Sequence, residues 1–410
     1  MSAFARAKNI GIYNLHMPTR GGGEKLTLVL AEHLGHAHHV QLFHHASVEP
    51  KELEDAFAVD LRNVEFSKLD DIPLPLRVVA KLRGGRHPYS THHYRQLKKL
   101  NLDLFINISH GSMLPNPANK GIFLCMFPHD PRPSEVGLRR TRNLLAGSIE
   151  KVLTASDMKR WLESYSRVIA ISQYSADWVQ QLWRRQVEVI YPPADDMGPP
   201  APKEKIILHV GRFTPSNSQT DHHHKAQEFL LSIFLEMKDL HAEGWELHFA
   251  GNVGSDEKAR QLAAMFLKRG TGLPVKFHFN ARFEALRDLY RRAAIYWHAT
   301  GVGTDAQRYP QRHEHFGITT VEAMSAGAVP VVINSGGQKE IVSDGINGLC
   351  WSEVESLLRQ TRTLANDPAL RDRLSRAAIE SSKKFRREVF VARMDESITR
   401  VLGEPADPTR

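Results

Sequence analysis

The stretch His313-Glu-His-Phe-Gly-Ile-Thr-Thr-Val-Glu-Ala-Met-Ser-Ala-Gly-Ala-Val-Pro-Val-Val-Ile-Asn-Ser-Gly-Gly337 packs a Gly turn, a short helix, a tight turn, a buried strand and a second Gly-rich loop into 25 residues. A helix that passes through a tight turn into a β-branched run is the repeating piece of a parallel α/β sheet. Two carboxylates, Glu314 and Glu322, stand eight residues apart around the first turn. Carboxylates accept hydrogen bonds from hydroxyls, and the unpaired N–H groups of a helix start attract anions. The layout therefore suits a polyhydroxylated ligand carrying phosphates, held between the two loops.

The same alternation extends in both directions. Upstream, strands are expected at 205–210, 245–250, 275–279 and 295–299, with helices at 226–240, 256–268 and 283–293. Downstream, helices are expected near 353–365 and 368–385. Before this region lies Tyr191-Pro-Pro-Ala-Asp-Asp-Met-Gly-Pro-Pro-Ala-Pro202, whose five prolines in twelve residues leave too few donors for a helix or central strand. It reads as a linker. Ahead of it, β-branched or aromatic runs at 9–15, 39–44, 102–108, 122–127, 167–171 and 187–191 alternate with helical spacing at 24–34, 149–165 and 175–183. The expected organisation is an α/β domain over 1–190, a linker over 191–202, a second α/β domain over 203–375 and a helical tail over 376–410. A length of 410 residues fits two such cores. Ligands gather beyond the carboxyl ends of parallel strands, so a cleft between two such domains is the natural site.

Composition is that of a globular protein, 41% hydrophobic and 24% charged, with no apolar run of membrane-spanning length. The expected location is the cytoplasm. The two cysteines, Cys125 and Cys350, lie in apolar runs and read as buried free thiols. The net charge of +8 is uneven: residues 1–194 hold 25 Lys+Arg against 18 Asp+Glu, and residues 195–410 hold 29 against 28. The densest basic stretches are 81–86, 139–142 and 184–185, which suit either an anionic membrane surface, an anionic substrate or plain solvation. Nucleic acid is not expected as a partner.

Several residues could carry chemistry. Gly21-Gly-Gly-Glu24 follows a strand and opens a helix, so Gly22 and Gly23 either let a ligand approach the backbone or simply form a turn; the spacing is not that of a dinucleotide fingerprint. His129 stands just past a strand end, where an imidazole either acts near a reacting centre or is merely exposed. Arg212, in Gly211-Arg-Phe213, and Lys225 supply a guanidinium and an ammonium for a diphosphate. The intervening 216–224 segment, with its three histidines, reads as a solvated insertion, and no metal-site spacing occurs. Thr319 and Glu322 also fit a helix capping box, whereas Glu314 has no such structural account. The amides of Gly317, Ile318 and Thr319, after Phe316, could meet a phosphate.

In these residues the chain resembles the retaining GT-B glycosyltransferases with an E-x7-E motif, the glycogen-synthase and mannosyltransferase-like group. The likeness runs closely from Gly211 to Trp351 and more loosely through Gly21–Gly23, His129 and Ser172-Gln-Tyr-Ser-Ala176. It implies two Rossmann-like domains facing across a cleft, with a C-terminal helix crossing back. It implies a UDP- or GDP-linked sugar donor, with Glu322 on the ribose, Glu314 on the sugar, Arg212 and Lys225 on the diphosphate, and Phe316, Gly317, Ile318 and Thr319 nearby. His129 would lie close to the anomeric centre, and Gly22 and Gly23 close to the phosphates. No cofactor or metal is required on this reading, and the leaving diphosphate itself takes the acceptor's proton. The acceptor would be a saccharide or lipid-linked saccharide, and the Glu314 region leans towards a hexose such as mannose. Lys225 stands further from Arg212 than the family pattern has it. A sugar-nucleotide epimerase, a phosphorylase-like enzyme and a non-catalytic carbohydrate-binding protein are the alternatives.

Overall fold

The computed structural model describes residues 6–19, 21–71, 87–129, 159–214 and 225–403. The chain divides into two compact units, Met1–Tyr191 with Phe390–Arg410, and Pro192–Val389.

The first unit is a parallel sheet of seven strands: β1 (Asn9–Tyr13), β2 (His39–His44), β3 (Val64–Lys68), β4 (Leu104–Asn107), β5 (Lys120–Cys125), β6 (Arg167–Ala170) and β7 (Glu188–Val189). Their order is β3-β2-β1-β4-β5-β6-β7. The described helices are α1 (Gly22–Gly35), α2 (Pro50–Phe57), α3 (His87–Lys98) and α4 (Gln173–Trp183). Nothing between residues 45 and 101 was expected as regular structure, yet α2, β3 and α3 lie there. The reason is visible in β3, an edge strand whose residues are mostly half-exposed or exposed and so lack an apolar run. Helix α4 starts two residues earlier than expected, capped by Ser172, whose Oγ accepts from Ser175 N at 3.0 Å.

The second unit repeats the pattern with β8 (Glu204–Val210), β9 (Glu246–Gly251), β10 (Val275–Phe279), β11 (Ala293–His298), β12 (Val329–Ile333) and β13 (Leu349–Trp351), in the order β10-β9-β8-β11-β12-β13. Every strand pairing here is parallel. The helices are α5 (Gln227–Glu236), α6 (Lys238–Ala242), α7 (Glu257–Gly270), α8 (Phe283–Arg292), α9 (Ile318–Ser325), α10 (Gln338–Ile341), α11 (Val354–Asn366) and α12 (Pro368–Ser382). The helix expected over 226–240 is two, broken at Met237. Strands β11 and β12 are buried at every residue, as central strands covered on both faces must be. Their core includes Trp297, whose indole donates to Thr361 Oγ1 of α11 at 3.0 Å, so that its polar edge is satisfied inside the apolar layer.

The last helix, α13 (Arg387–Gly403), passes from the second unit into the first at Phe390, later than the tail start expected at 376. Within the first unit Arg400 and Ser397 of α13 both bond Glu188 of β7, at 2.7 and 3.1 Å, and His33 of α1 pairs with Asp395 at 2.8 Å. Both cysteines are free; Cys125 is buried as expected, while Cys350 is half-exposed. Among the described residues no helix is long and apolar enough to cross a membrane. The basic stretches 81–86 and 139–142 and the insertion 216–224 lie outside the described residues. Of the third basic stretch, Arg185 is spent on structure, donating to the Leu162 carbonyl at 2.8 Å.

Candidate active site

In both sheets the strand order reverses beside the first strand of the unit, between β1 and β4 and between β8 and β11. The carboxyl ends at such a reversal splay apart and leave a crevice. In the second unit those ends are Val210 of β8, which leads into Gly211 and Arg212, and His298 of β11. The loop before α9 lies against them.

Lys225 and Glu314, 89 residues apart in sequence, meet there: Nζ donates to Oε2 at 2.5 Å. The long insertion therefore does not carry Lys225 away. Its Cβ and Cγ lie 3.0 Å from where a side chain on Gly211 would begin, so the glycine makes room for it. The Gln227 amide of α5 ties the two segments together, donating to the carbonyls of Gly211 at 3.2 Å and Arg212 at 2.9 Å. His298 Nε2 reaches the same Glu314 oxygen at 3.0 Å. Oε2 thus takes both contacts, and Oε1 has no hydrogen-bond partner among the described residues. Burial by itself would raise the Glu314 carboxyl, but the Lys225 ammonium and the His298 hydrogen bond outweigh it and hold it well below the usual carboxylate range. The carboxylate is ionised and accepts only.

Glu314 is set by its backbone. Its carbonyl accepts from Gly337 N at 2.7 Å, which locks the two Gly-containing loops together. Gly317 begins α9 with φ of +119°, and a Cβ on it would sit 2.0 Å from Gln338 Nε2. That amide donates to the Phe316 carbonyl while its oxygen accepts from Thr320 Oγ1 at 2.9 Å. Ile318 and Thr319 are the first two residues of α9, where no intrahelical acceptor exists for their N–H groups. The Thr319–Glu322 capping box, the alternative account of Glu322, does not form. Gly317 is the N-cap, which puts Glu322 at the fifth helical position, where it accepts from Tyr290 Oη at 3.0 Å. Thr319 Oγ1 instead accepts from Tyr296 Oη at 2.7 Å.

The candidates of the first unit are placed separately. Gly22 and Gly23 lie inside the first turn of α1 rather than in a loop, with Gly21 as N-cap and Glu24 Oε2 accepting from Gly21 N at 2.6 Å. A Cβ on Gly23 would lie 2.3 Å from Met126 Cε, so the flexible methionine on the loop after β5 packs close against the glycine and would have to turn aside for a larger residue. His129 is not a bare loop histidine: its ring packs against Trp161 and Trp183, centroids 5.6 and 5.4 Å away.

His298, His209, Tyr290, Tyr296 and Gln338 were missed from sequence. His298 carried a legible signal, since a single imidazole ends the apolar and aromatic run Ala293–Trp297. His209 lies on β8 beside it, its Nδ1 bonded to the Trp297 carbonyl at 2.9 Å and its pKa pushed down by burial to about 3. Both imidazoles are neutral at physiological pH.

Two family models match in tandem, Glycosyltransferase Family 4 over residues 20–196 and Glycosyl transferases group 1 over residues 196–381. Together they cover the whole second sheet and all of the first except β1. The chain belongs to a GT-B glycosyltransferase family. Among solved structures, this GT-B chain is similar to Anabaena HepE in complex with UDP and glucose, with a TM-score of 0.67 at 17% identity, covering 96% of this chain and 99% of that one. It is also similar to WaaG, a glycosyltransferase involved in lipopolysaccharide biosynthesis, with a TM-score of 0.64 at 14% identity over 95% and 99% of the chains. At such identities the likeness bears on the fold. In sequence, 192 residues are 28% identical to a Xenopus laevis GDP-Man:Man(3)GlcNAc(2)-PP-Dol alpha-1,2-mannosyltransferase, 44% of this chain and 36% of the relative. The matched part therefore spans little more than a third of that relative's length.

Proposed function

We propose that this glycosyltransferase moves a hexosyl residue from a nucleotide diphosphate sugar to a hydroxyl of a glycan or lipid-linked acceptor, retaining anomeric configuration. The observation that carries the reading is the Lys225–Glu314 pair at the β8–β11 reversal, beside the start of α9, with one carboxylate oxygen left open. An ammonium has three N–H donors and Glu314 occupies one, so two remain for phosphate oxygens. Arg212 and the amides of Gly317, Ile318 and Thr319 after Phe316 add to that charge balance. Glu314 Oε1 takes sugar hydroxyls, and Glu322, steadied by Tyr290, takes those of the ribose. The roles of His129, Gly22 and Gly23 rest on the family resemblance.

In the reaction the bond from the anomeric carbon to the diphosphate oxygen breaks, and a bond to the acceptor oxygen forms on the same face. The acceptor's proton passes to the departing diphosphate, so no side-chain base is needed. Lys225, Arg212 and the helix start stabilise the negative charge as it develops. The mannosyltransferase relatives favour a GDP-linked mannose, and the UDP complexes of similar folds make UDP-glucose the competing donor.

A thermal-shift screen of UDP- and GDP-sugars on the full chain tests this directly: at least one should stabilise it, and failure of all of them would sink the reading. With the donor in hand, Glu322→Gln is expected to weaken nucleoside diphosphate binding about tenfold, the scale of one charged hydrogen bond, as measured by titration calorimetry. Unchanged affinity would remove Glu322 from the site.

A further inference from the structure

We propose that His298 is a positioning residue for the donor sugar: its Nε2–H pins Glu314 Oε2 so that Oε1 is presented to the sugar hydroxyls. This rests on the reading of Glu314 as the sugar-holding carboxylate. Because the carboxylate is ionised and can only accept, the proton between the two side chains sits on His298 Nε2, 3.0 Å from Oε2. The tautomer is then fixed, and Nδ1 is left as a bare lone pair. That Nδ1 is buried and has no hydrogen-bond partner among the described residues.

A buried acceptor without a partner lowers stability, because its lost hydration is not replaced. Nothing in the fold calls for a histidine there, since the rest of β11 is apolar or aromatic and His298 is only 2% exposed. An unsatisfied polar atom kept at a structural cost points to the job done by the ring's other nitrogen. That job is geometric. Lys225 alone, on a flexible stem, would fix the distance to Glu314 but not the rotation of its carboxyl group. A second donor, rigid and rooted in a central strand, fixes both and assigns Oε2 to the protein and Oε1 to the ligand.

Titration calorimetry on the full chain with UDP-glucose against UDP, and GDP-mannose against GDP, isolates the affinity contributed by the sugar. His298→Met and His298→Asn, the first without a donor and the second with an amide too short to reach, should each lower that contribution about tenfold. Affinity for UDP or GDP alone should hold, and His298→Gln, which restores a donor near the Nε2 position, should recover the sugar contribution. If the methionine variant does not fold, the asparagine variant carries the comparison. Equal weakening with and without the sugar, or an unchanged sugar contribution in a protein where Glu314→Ala abolishes it, overturns the proposal and leaves the role of Glu314 standing. A sugar contribution that survives Glu314→Ala, or a wild type that binds both forms alike, overturns that role and the proposal with it.

Discussion

Lys225→Met is expected to lower kcat/KM about 10²- to 10³-fold, the usual loss when one preorganised donor to a developing oxyanion is removed. Lys225 Nζ lies at the β8–β11 reversal with only 20% of its side chain exposed, so its charge is poorly screened and already placed. Methionine keeps most of the stem volume and removes the charge alone. A second effect follows from the pair. Without the ammonium, burial regains its hold on the Glu314 carboxyl and raises its pKa, so the carboxylate proposed to hold the sugar is weakened as well. The two losses share one contact, so Lys225→Met and Glu314→Ala should combine to less than the sum of their separate effects. The pair also links to acid stability. A carboxyl whose folded pKa is depressed adds stability that is complete above the ordinary carboxylate range and disappears as pH falls through the folded value. Steady-state rates, with thermal unfolding as the check on folding, decide the matter; wild-type kcat/KM in the methionine variant would remove Lys225 from the reaction.

The second unit was legible because its central strands are buried on both faces, which forces runs such as Val329–Ile333 into the text. Edge strand β3 escapes for the opposite reason: one buried residue followed by four half-exposed or exposed ones resembles many loops. At the site, Glu314 and Lys225 could be named from their residue types, but their contact could not, because 89 residues and an insertion separate them. Glu322 shows the reverse failure. Its spacing from Thr319 fits a local cap, and only the left-handed Gly317, which sets the true start of α9, shows that the cap is elsewhere. The supporting groups, Tyr290, Tyr296, Gln338 and His298, are core residues by composition, and their roles arise from partners that only the fold supplies.

Gly336→Ala should destabilise the second unit by about 3 to 5 kcal/mol and abolish measurable sugar-dependent donor binding. Two costs add. Gly336 has φ of +61°, which costs an alanine about 1 to 2 kcal/mol. A Cβ there would also lie 2.3 Å from the carbonyl oxygen of Glu314 and 3.2 Å from its nitrogen, and backbone atoms cannot rotate away as a side chain can. One loop must move, and the Gly337 N to Glu314 O bond of 2.7 Å is the contact that stretches. Gly345→Ala is the matched control: it has φ of +71° in the same unit, with nothing within 4 Å of an added Cβ, so it carries the conformational cost alone. Calorimetric melting should show the unit containing Gly336→Ala unfolding about 10 °C earlier and the Gly345→Ala unit only a few degrees earlier, with donor binding kept in the second. Equal shifts in the two variants would mean that the loops at 314–317 and 335–337 are not braced against each other. Glu314 would then owe its place to Lys225 and His298 alone.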